Sequence, residues 1–332
     1  MTKKVFILLS LFFLLIVSFL ISISVGSVAI PLEDFLHLNS PEYESARKVI
    51  MDIRLPRTLN TMLVGAGLSC SGILLQSMLN NNLAEPGLIG ISAGAGLGAI
   101  LTFILPISVS FFLITPVSFV FAVAATSLIY IISKGFGSKS FSHISSNKII
   151  LTGIAVSALI SSINGFLMLI SGSSITQIVY WLNGGFSGRG WEEFYPALVF
   201  VSIGLVISIL VSKDLNVLNL GEELSVSLGM NLNKIQKILI FSASLLAASA
   251  VSVAGIISFV GLIIPNLSKL IIGNDHRFAV PCAIILGAFF LAVSDTIART
   301  LISPVEIPVG IITSFAGAPV FIWLLLRKRR NI

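Results

Sequence analysis

Apolar residues run along this chain in long blocks broken by short polar interruptions. The blocks fall at 5–30, 58–79, 87–106, 109–133, 148–170, 192–212, 235–257, 258–273, 278–298 and 306–326. Crossing the hydrocarbon core of a bilayer takes about 20 mostly apolar residues in a helix, and most of the blocks reach that length. The pattern predicts an all-α polytopic membrane protein with about ten transmembrane helices, residues 1–332 forming a single transmembrane domain. Two blocks, 87–106 and 258–273, are short or rich in Gly and Pro, which a membrane tolerates only where neighbouring helices cover the backbone. In the first of them Gly90, Gly94 and Gly98 recur every four residues. One helix face there carries no side chains, which predicts a closely packed neighbour.

The first block follows Lys3 and Lys4, and Ser27-Val28-Ala29 has the look of a cleavage site. Its apolar run from Val5 to Ile30 is well beyond the roughly 7 to 15 residues of a signal peptide core, so it is read as the first span. Ten spans place both termini on one side. With Lys3 and Lys4 inside, alternation puts 14 of the 20 basic residues inside and leaves Arg47, Lys48, Arg54, Arg57, Arg189 and Arg299 outside. That asymmetry follows the positive-inside rule and predicts cytoplasmic termini in a multi-pass protein of the bacterial cell membrane.

Composition agrees with this picture. Hydrophobic residues make up 56% of the chain and charged residues only 10%, against about 25% charged in an ordinary soluble domain. The net charge of +6 does not point to nucleic acid, because the basic residues lie in short loops without interleaved aromatics. Cys70 and Cys282 sit inside apolar blocks with no paired spacing, which fits core packing rather than a disulfide or metal framework. His37, His143 and His276 all map to loops, so no metal site is expected. No phosphate-binding loop is present; Gly135-Phe136-Gly137-Ser138-Lys139-Ser140 lacks the required spacing. Carboxylates in mid-span are too few for a proton relay, although Asp295 and Arg299, four apart, are placed to pair on one helix face. No catalytic cluster is visible. A transporter powered from outside the chain is the reading these absences favour, with an ion-coupled secondary transporter as the alternative class and a membrane enzyme as a third.

Several strings occur in a fixed order: Arg54-Leu55-Pro56-Arg57, Gly65-Ala66-Gly67-Leu68, Asn82-Leu83-Ala84-Glu85-Pro86-Gly87, Leu218-Asn219-Leu220-Gly221-Glu222-Glu223, Gly255 to Pro265, Asp275-His276-Arg277 and Gly317-Ala318-Pro319. The set closely resembles the FecCD-type permeases, the membrane subunits of ABC importers for ferric siderophores, haem and cobalamin, over nearly the whole chain. The family often has His where Asn266 stands, and often Asn-Pro-Leu-Ala near Asn82. The resemblance implies ten helices per subunit and a second permease subunit, identical or homologous. It also implies two ATPase subunits carrying ATP, with no cofactor on this chain, and an extracytoplasmic substrate-binding protein. A ferric siderophore is the cargo it favours, with haem and cobalamin as alternatives.

Residue roles follow. Arg54 and Arg57 lie three apart at the start of the second span, on the outer side. From the residues alone they serve as well for lipid contact or span capping as for docking; the resemblance implies that Arg54, Arg57 and Arg299 dock acidic groups of the binding protein. The inner loop 213–237 holds a helix-capable stretch between Gly221 and Gly229. It reads as a solvated loop or, by resemblance, as the coupling helix seated on the ATPase, with Gly221, Glu222, Glu223, Ser225, Leu228 and Gly229 as its residues. Asn82, Glu85 and Pro86 form a polar turn that terminates a helix or borders the pathway. Ser145, Ser146 and Asn147 precede the fifth span where the family places a cytoplasmic gate. Tyr180, Trp181 and Trp191 fit an interfacial aromatic belt.

Overall fold

The computed structural model describes residues 2–26, 44–104, 113–135 and 146–329, and all regular structure among them is helical. Helix α1 spans Thr2–Ser24. A short α2, Glu44–Lys48, continues through a wide π turn, Val49–Arg54, into α3, Leu55–Met78. After a 3-10 turn, Pro86–Ile89, come α4 (Ile91–Ile104), α5 (Ile114–Lys134) and α6 (Ser146–Leu169). Then follow α7 (Ile175–Leu182), α8 (Trp191–Leu210), α9 (Ser212–Leu218), α10 (Glu222–Ser227) and α11 (Leu232–Ala254). The chain closes with α12 (Val260–Ile272), α13 (His276–Thr300) and α14 (Val309–Arg329). Seven helices are long and apolar enough to cross a membrane, α2 and α3 counting as one continuous span, and α4, α12 and α14 are shorter apolar helices. This matches the ten blocks of the sequence.

Helices α3 and α11 form the buried centre, and α1, α6 and α8 lie at the periphery. Small residues explain why α3 takes the middle. Gly65 crosses Gly287 of α13 so closely that a Cβ on Gly65 would stand 2.2 Å from the Gly287 carbonyl oxygen. A Cβ on Gly72 would come within 1.9 Å of the Gly261 carbonyl oxygen. Serines of α3 add hydrogen bonds to its neighbours: Ser69 Oγ donates to Ala283 O of α13 at 2.8 Å and Ser71 Oγ to Ala243 O of α11 at 2.8 Å. In a membrane, where lipid competes equally well for apolar contact, close backbone approach and such bonds drive helix association. Gly72→Ala is expected to force α3 and α12 apart and to destabilise by about 1–3 kcal/mol or more, seen as reduced folded yield and a lower unfolding temperature in detergent.

The glycine face of α4 behaves as its spacing predicted. A Cβ at Gly94 would lie 2.6 Å from Phe121 O, and one at Gly98 would lie 2.9 Å from Val117 O, both on α5. Gly90 itself stands outside the helix, closing the 3-10 turn with φ +79°.

Helices α4 and α12, with 14 and 13 residues, are about 21 and 20 Å long at 1.5 Å per residue, too short to cross about 30 Å of hydrocarbon alone. The chain between α11 and α12 is irregular, with φ +73° at Gly255 and +70° at Phe259. It meets two other glycine turns: Gly185 N–H donates to Ala254 O at 2.7 Å, and Gly310 packs on the Asn183 and Ile256 carbonyls. Non-helical backbone is tolerated inside a membrane only where protein or a water-filled cavity covers it, and Gly255, Ile257 and Val260 here are buried.

The start of α1 and the end of α14 lie at the same end of the bundle. Lys4 Nζ stands 5.0 Å from the Phe278 ring centre at the start of α13, and Phe321 and Leu324 of α14 line a cavity with His276. This end carries Lys213, Lys234, Lys237, Lys269 and Arg277 and is called the basic end below. The opposite end carries Arg54, Arg57 and Arg299.

Candidate functional site

At the end opposite the basic one, three arginines and two carboxylates form a clamp. Arg57, 8% exposed, grips Asp295 with both edges of its guanidinium: Nε donates to Oδ2 at 3.0 Å and Nη2 to Oδ1 at 2.9 Å. Its Nη1 donates to both oxygens of Glu306, at 2.9 and 3.1 Å. Arg54 Nη1 donates to Ile23 O and Ser24 O at 2.9 and 2.7 Å, satisfying carbonyls that the end of α1 leaves without helical partners. Arg299 Nη2 donates to Ser22 Oγ at 2.8 Å and to Ser22 O, while its Nε lies 3.9 Å from Asp295. Tyr180 Oη donates to Glu306 O at 2.9 Å. The clamp therefore ties α1, α3, α7, α13 and the segment before α14 together.

Arg54, Arg57 and Arg299 were expected on the outer surface, displaying charge. The structure buries all three, at 3%, 8% and 3% exposure, and supplies carboxylates and carbonyls from within the chain. Arg54 and Arg299 cap the end of α1, and Arg57 pairs with Asp295 and Glu306. The pairing of Asp295 with Arg299 exists but is secondary to the bidentate bond with Arg57. Glu306 and Ser22 are not visible as partners in the sequence, because they lie 249 and 277 residues from the arginines they accept from. Trp181 also departs from the aromatic-belt expectation: it is 6% exposed and packs inside. Tyr180 and Trp191 keep exposed edges, Trp191 stacking on Tyr195 with ring centres 5.6 Å apart.

Beside the clamp and the glycine node lies a cavity of about 940 Å³ lined by Thr176, Gln177, Tyr180, Trp181, Arg189 and Trp191, among others. Its chemistry is mixed, with aromatic walls, hydroxyls and amides. Arg189 is paired with Glu193 at 3.5 Å; burial pulls its guanidinium below the usual arginine range and Glu193 partly offsets that.

At the basic end, α10 stands between Gly221 at φ +103° and Gly229 at φ +86°. Gly229 N–H donates to Val226 O at 2.9 Å and Met230 N–H to Ser225 O at 3.0 Å, the double bond of a Schellman ending that requires a left-handed residue. Glu222 and Glu223 occupy the first turn, where the helix dipole favours negative charge. Ser225 is fully buried, its Oγ donating to Val217 O at 2.9 Å and Gly221 O at 2.7 Å, so it anchors the helix instead of facing outward. Leu220, Leu224, Val226 and Leu228 are 56%, 56%, 55% and 65% exposed. Exposed apolar patches in general mark contact sites for protein or membrane.

Behind α10, Asn216, His276 and Ser77 link three elements. Asn216 Oδ1 accepts from His276 N–H at 2.8 Å, and its Nδ2 donates to the Asp275 carboxylate at 2.9 Å. Those one-way partners fix the amide orientation, so His276 Nδ1, 3.0 Å from Asn216 Oδ1, carries the proton. Nε2 then accepts from Ser77 Oγ at 2.8 Å. His276 was expected in a loop; it opens α13 and is fully buried. His37 and His143 lie outside the described residues. Asp275 caps α13 and accepts from Arg277, which holds its carboxyl well below the ordinary range. A depressed native pKa adds stability that is present above the unfolded-state value and lost as pH falls through the native one. The stability gap between the wild type and Asp275→Asn is expected to be full at pH 7 and to shrink as pH drops below about 4, followed by thermal unfolding across that range.

The turn of Asn82, Glu85 and Pro86 packs on α12. Asn266 Nδ2 donates to Asn82 O at 3.0 Å, and Pro86 Cδ fills the space over Gly261. Pro86 opens the 3-10 turn, where its missing N–H is not needed, and burial raises the Glu85 carboxyl. Ser146 and Asn147 start α6 and share a cavity of about 340 Å³ with Gly221, Glu222 and Ser77. The gate candidates thus adjoin α10 directly, a proximity not visible in the sequence. Ser145 lies outside the described residues.

A family model described as the FecCD transport family matches residues 14–327. The chain belongs to that family. FecCD relatives over nearly the full length include the vitamin B12 import system permease protein BtuC of Vibrio vulnificus (strain CMCP6), 37% identical over 90% of this chain and 87% of the relative. The iron(3+)-hydroxamate import system permease protein FhuG of Bacillus subtilis (strain 168) is 34% identical over 98% of both chains. Among solved structures, a metal-chelate type ABC transporter in an inward-facing conformation superposes with a TM-score of 0.85 at 31% identity, covering 97% of this chain and 99% of that one. This FecCD member is therefore an integral membrane permease of the ABC-importer kind.

Proposed function

We propose that the chain is the permease subunit of a binding-protein-dependent importer that carries a ferric siderophore. Two permease subunits, identical or homologous, enclose a pathway between them, two ATPase subunits grip the basic end, and the binding protein meets the clamp end. The basic end is cytoplasmic on this reading, in accord with the distribution of lysine and arginine. The observation that carries the proposal is the exposed Leu220–Leu228 ridge, held between two left-handed glycines and joined through Asn216 and His276 to the buried helix α3. It gives a force-bearing partner a grip and a rigid route into the bundle.

The residues divide the work accordingly. Gly221, Glu222, Glu223, Leu228 and Gly229 present and orient the coupling surface, and Ser225 fastens it to α9. Ser146 and Asn147 gate the inner mouth next to it. Asn82, Glu85 and Pro86 brace α12, and Gly94 and Gly98 hold α4 against α5. Arg54, Arg57 and Arg299 serve docking from beneath: by locking α1, α3 and α13 they fix the surface that the binding protein meets. ATP acts on the partner subunits.

Relatives that import vitamin B12 or iron(3+)-hydroxamates share comparable identity with this chain, so cargo is decided by experiment. The permease is reconstituted in proteoliposomes with its ATPase and binding protein, and uptake of ferric siderophore, haem and cobalamin is compared. The proposal expects ferric siderophore to enter and the other two to be excluded; uptake of haem or cobalamin in its place refutes the cargo assignment.

A further inference from the structure

The cavity at the basic end has about 940 Å³ and lies between the end of α3, the 80–83 turn, α9 and α12, with α14 on one side. Its lining is rich in side-chain amides and, among the described residues, contains no Asp or Glu. One cation points into it, Lys269, which is half-buried. An ammonium has three N–H donors. Among the described residues Lys269 uses one, on the neutral Gln76 Oε1 at 3.3 Å, and makes no ion pair. Gln76 is buried and committed by its own Nε2 to Leu262 O at 3.0 Å, so it steers the lysine without neutralising it.

The amides around this charge are largely uncommitted. The side chains of Asn80, Asn82, Asn219 and Asn274 make no hydrogen bond among the described residues, although all four line the cavity. Asp275, which adjoins through Asn216, is already held by Arg277 at 2.7 Å. A partly desolvated cation without a counter-ion is unfavourable, and it is stabilised by an anion that also accepts from neutral donors. Lysine is a point-charge partner for phosphate groups, and bonds from charged donors are roughly twice as strong as neutral ones. The cavity lies within the range of sites that hold small molecules, about 300–1,000 Å³. Leu270, Phe321 and Leu324 give it an apolar side.

We propose that this cavity binds a phosphate-class anion, with Lys269 supplying the charge and the free asparagine amides the hydrogen bonds. The group is either the headgroup of an anionic phospholipid, its acyl chain along Leu270 and Leu324, or a soluble phosphate. It adds a ligand at the C-terminal end of α9, where Leu220 of the coupling ridge lines the cavity.

The test uses the full-length chain as wild type, Lys269→Gln, Asn219→Asp and, as a control, Lys213→Gln at an exposed lysine. Asn219 is exposed, so placing a carboxylate there repels an anion without disturbing the core. Unfolding temperature and elution volume establish that each variant is folded. In the first arm, phospholipid retained through purification is counted per chain by mass spectrometry. In the second, delipidated protein is dialysed against radiolabelled inorganic phosphate. A lipid source predicts one more retained phospholipid in wild type and control than in Lys269→Gln or Asn219→Asp. A soluble source predicts saturable phosphate binding that both variants weaken by about tenfold or more, the factor equal to 1.4 kcal/mol. Equal lipid counts and equal phosphate binding in all four proteins overturn the proposal.

Discussion

Arg57→Ala is expected to destabilise the permease by about 3–5 kcal/mol, the range for removing one partner of a buried ion pair. The size follows from what the arginine holds. Asp295, 1% exposed, loses both of its close donors, and Glu306 loses two hydrogen bonds at once. Arg299 offsets only part of the loss: its Nε stands 3.9 Å from Asp295, its Nη2 is engaged with Ser22 on α1, and it makes no bond to Glu306. Arg57→Lys keeps the charge but not the planar fork that contacts both carboxylates, and is expected to lose less. Thermal unfolding in detergent separates the three proteins, in the order wild type, Lys, Ala. Charge reversal at this position would set a third carboxylate against two others, so it reports on folding and not on partner docking. If Arg57→Ala unfolds like wild type, the clamp is not what holds this end together.

The second large effect is expected at the ridge. Leu224→Asp together with Leu228→Asp should abolish ATP-driven uptake and reduce capture of the ATPase subunit by at least about a hundredfold, since each buried leucine contributes about 1.5–3 kcal/mol and 1.4 kcal/mol is tenfold in affinity. Both side chains are more than half exposed in the free chain, so the unfolding temperature should not move. Cysteines at Leu224 and Leu228, not at the buried Ser225, are the positions expected to crosslink to the ATPase. Normal capture and uptake by the double variant would remove the ridge from the coupling surface.

The fold was largely legible because the bilayer imposes a length and a hydropathy that each span must meet. All ten apolar blocks appear as helices, and the Gly94 and Gly98 face packs where its period placed it. What escaped the sequence was either short or distant. Helix α7 has only eight residues and carries no span-length signal. Burial of Arg57 depends on Asp295 and Glu306, which lie 238 and 249 residues away; local sequence shows an arginine and not its partner. Charge statistics separated Arg54, Arg57 and Arg299 from the lysine-bearing end of the bundle and could not distinguish a displayed charge from a neutralised one. His276 was misplaced for a related reason: a polar residue beside Asp275 and Arg277 reads as a loop, and only its contacts with Ser77 and Asn216 bring it inside. Gly221 and Gly229 were readable as the ends of α10, because a glycine after a helix is a local signal. Which face of α10 turned outward was not.

On the proposed function, ATP hydrolysis on a partner subunit drives cargo through this permease. The most direct test is uptake of a ferric siderophore into proteoliposomes containing the permease, its ATPase and its binding protein, with ATP or a non-hydrolysable analogue inside and with no ion gradient. The account predicts accumulation that requires hydrolysable ATP, is blocked by vanadate and is unaffected by collapsing proton or sodium gradients. Accumulation that follows an imposed ion gradient without ATP would contradict it and identify a secondary transporter.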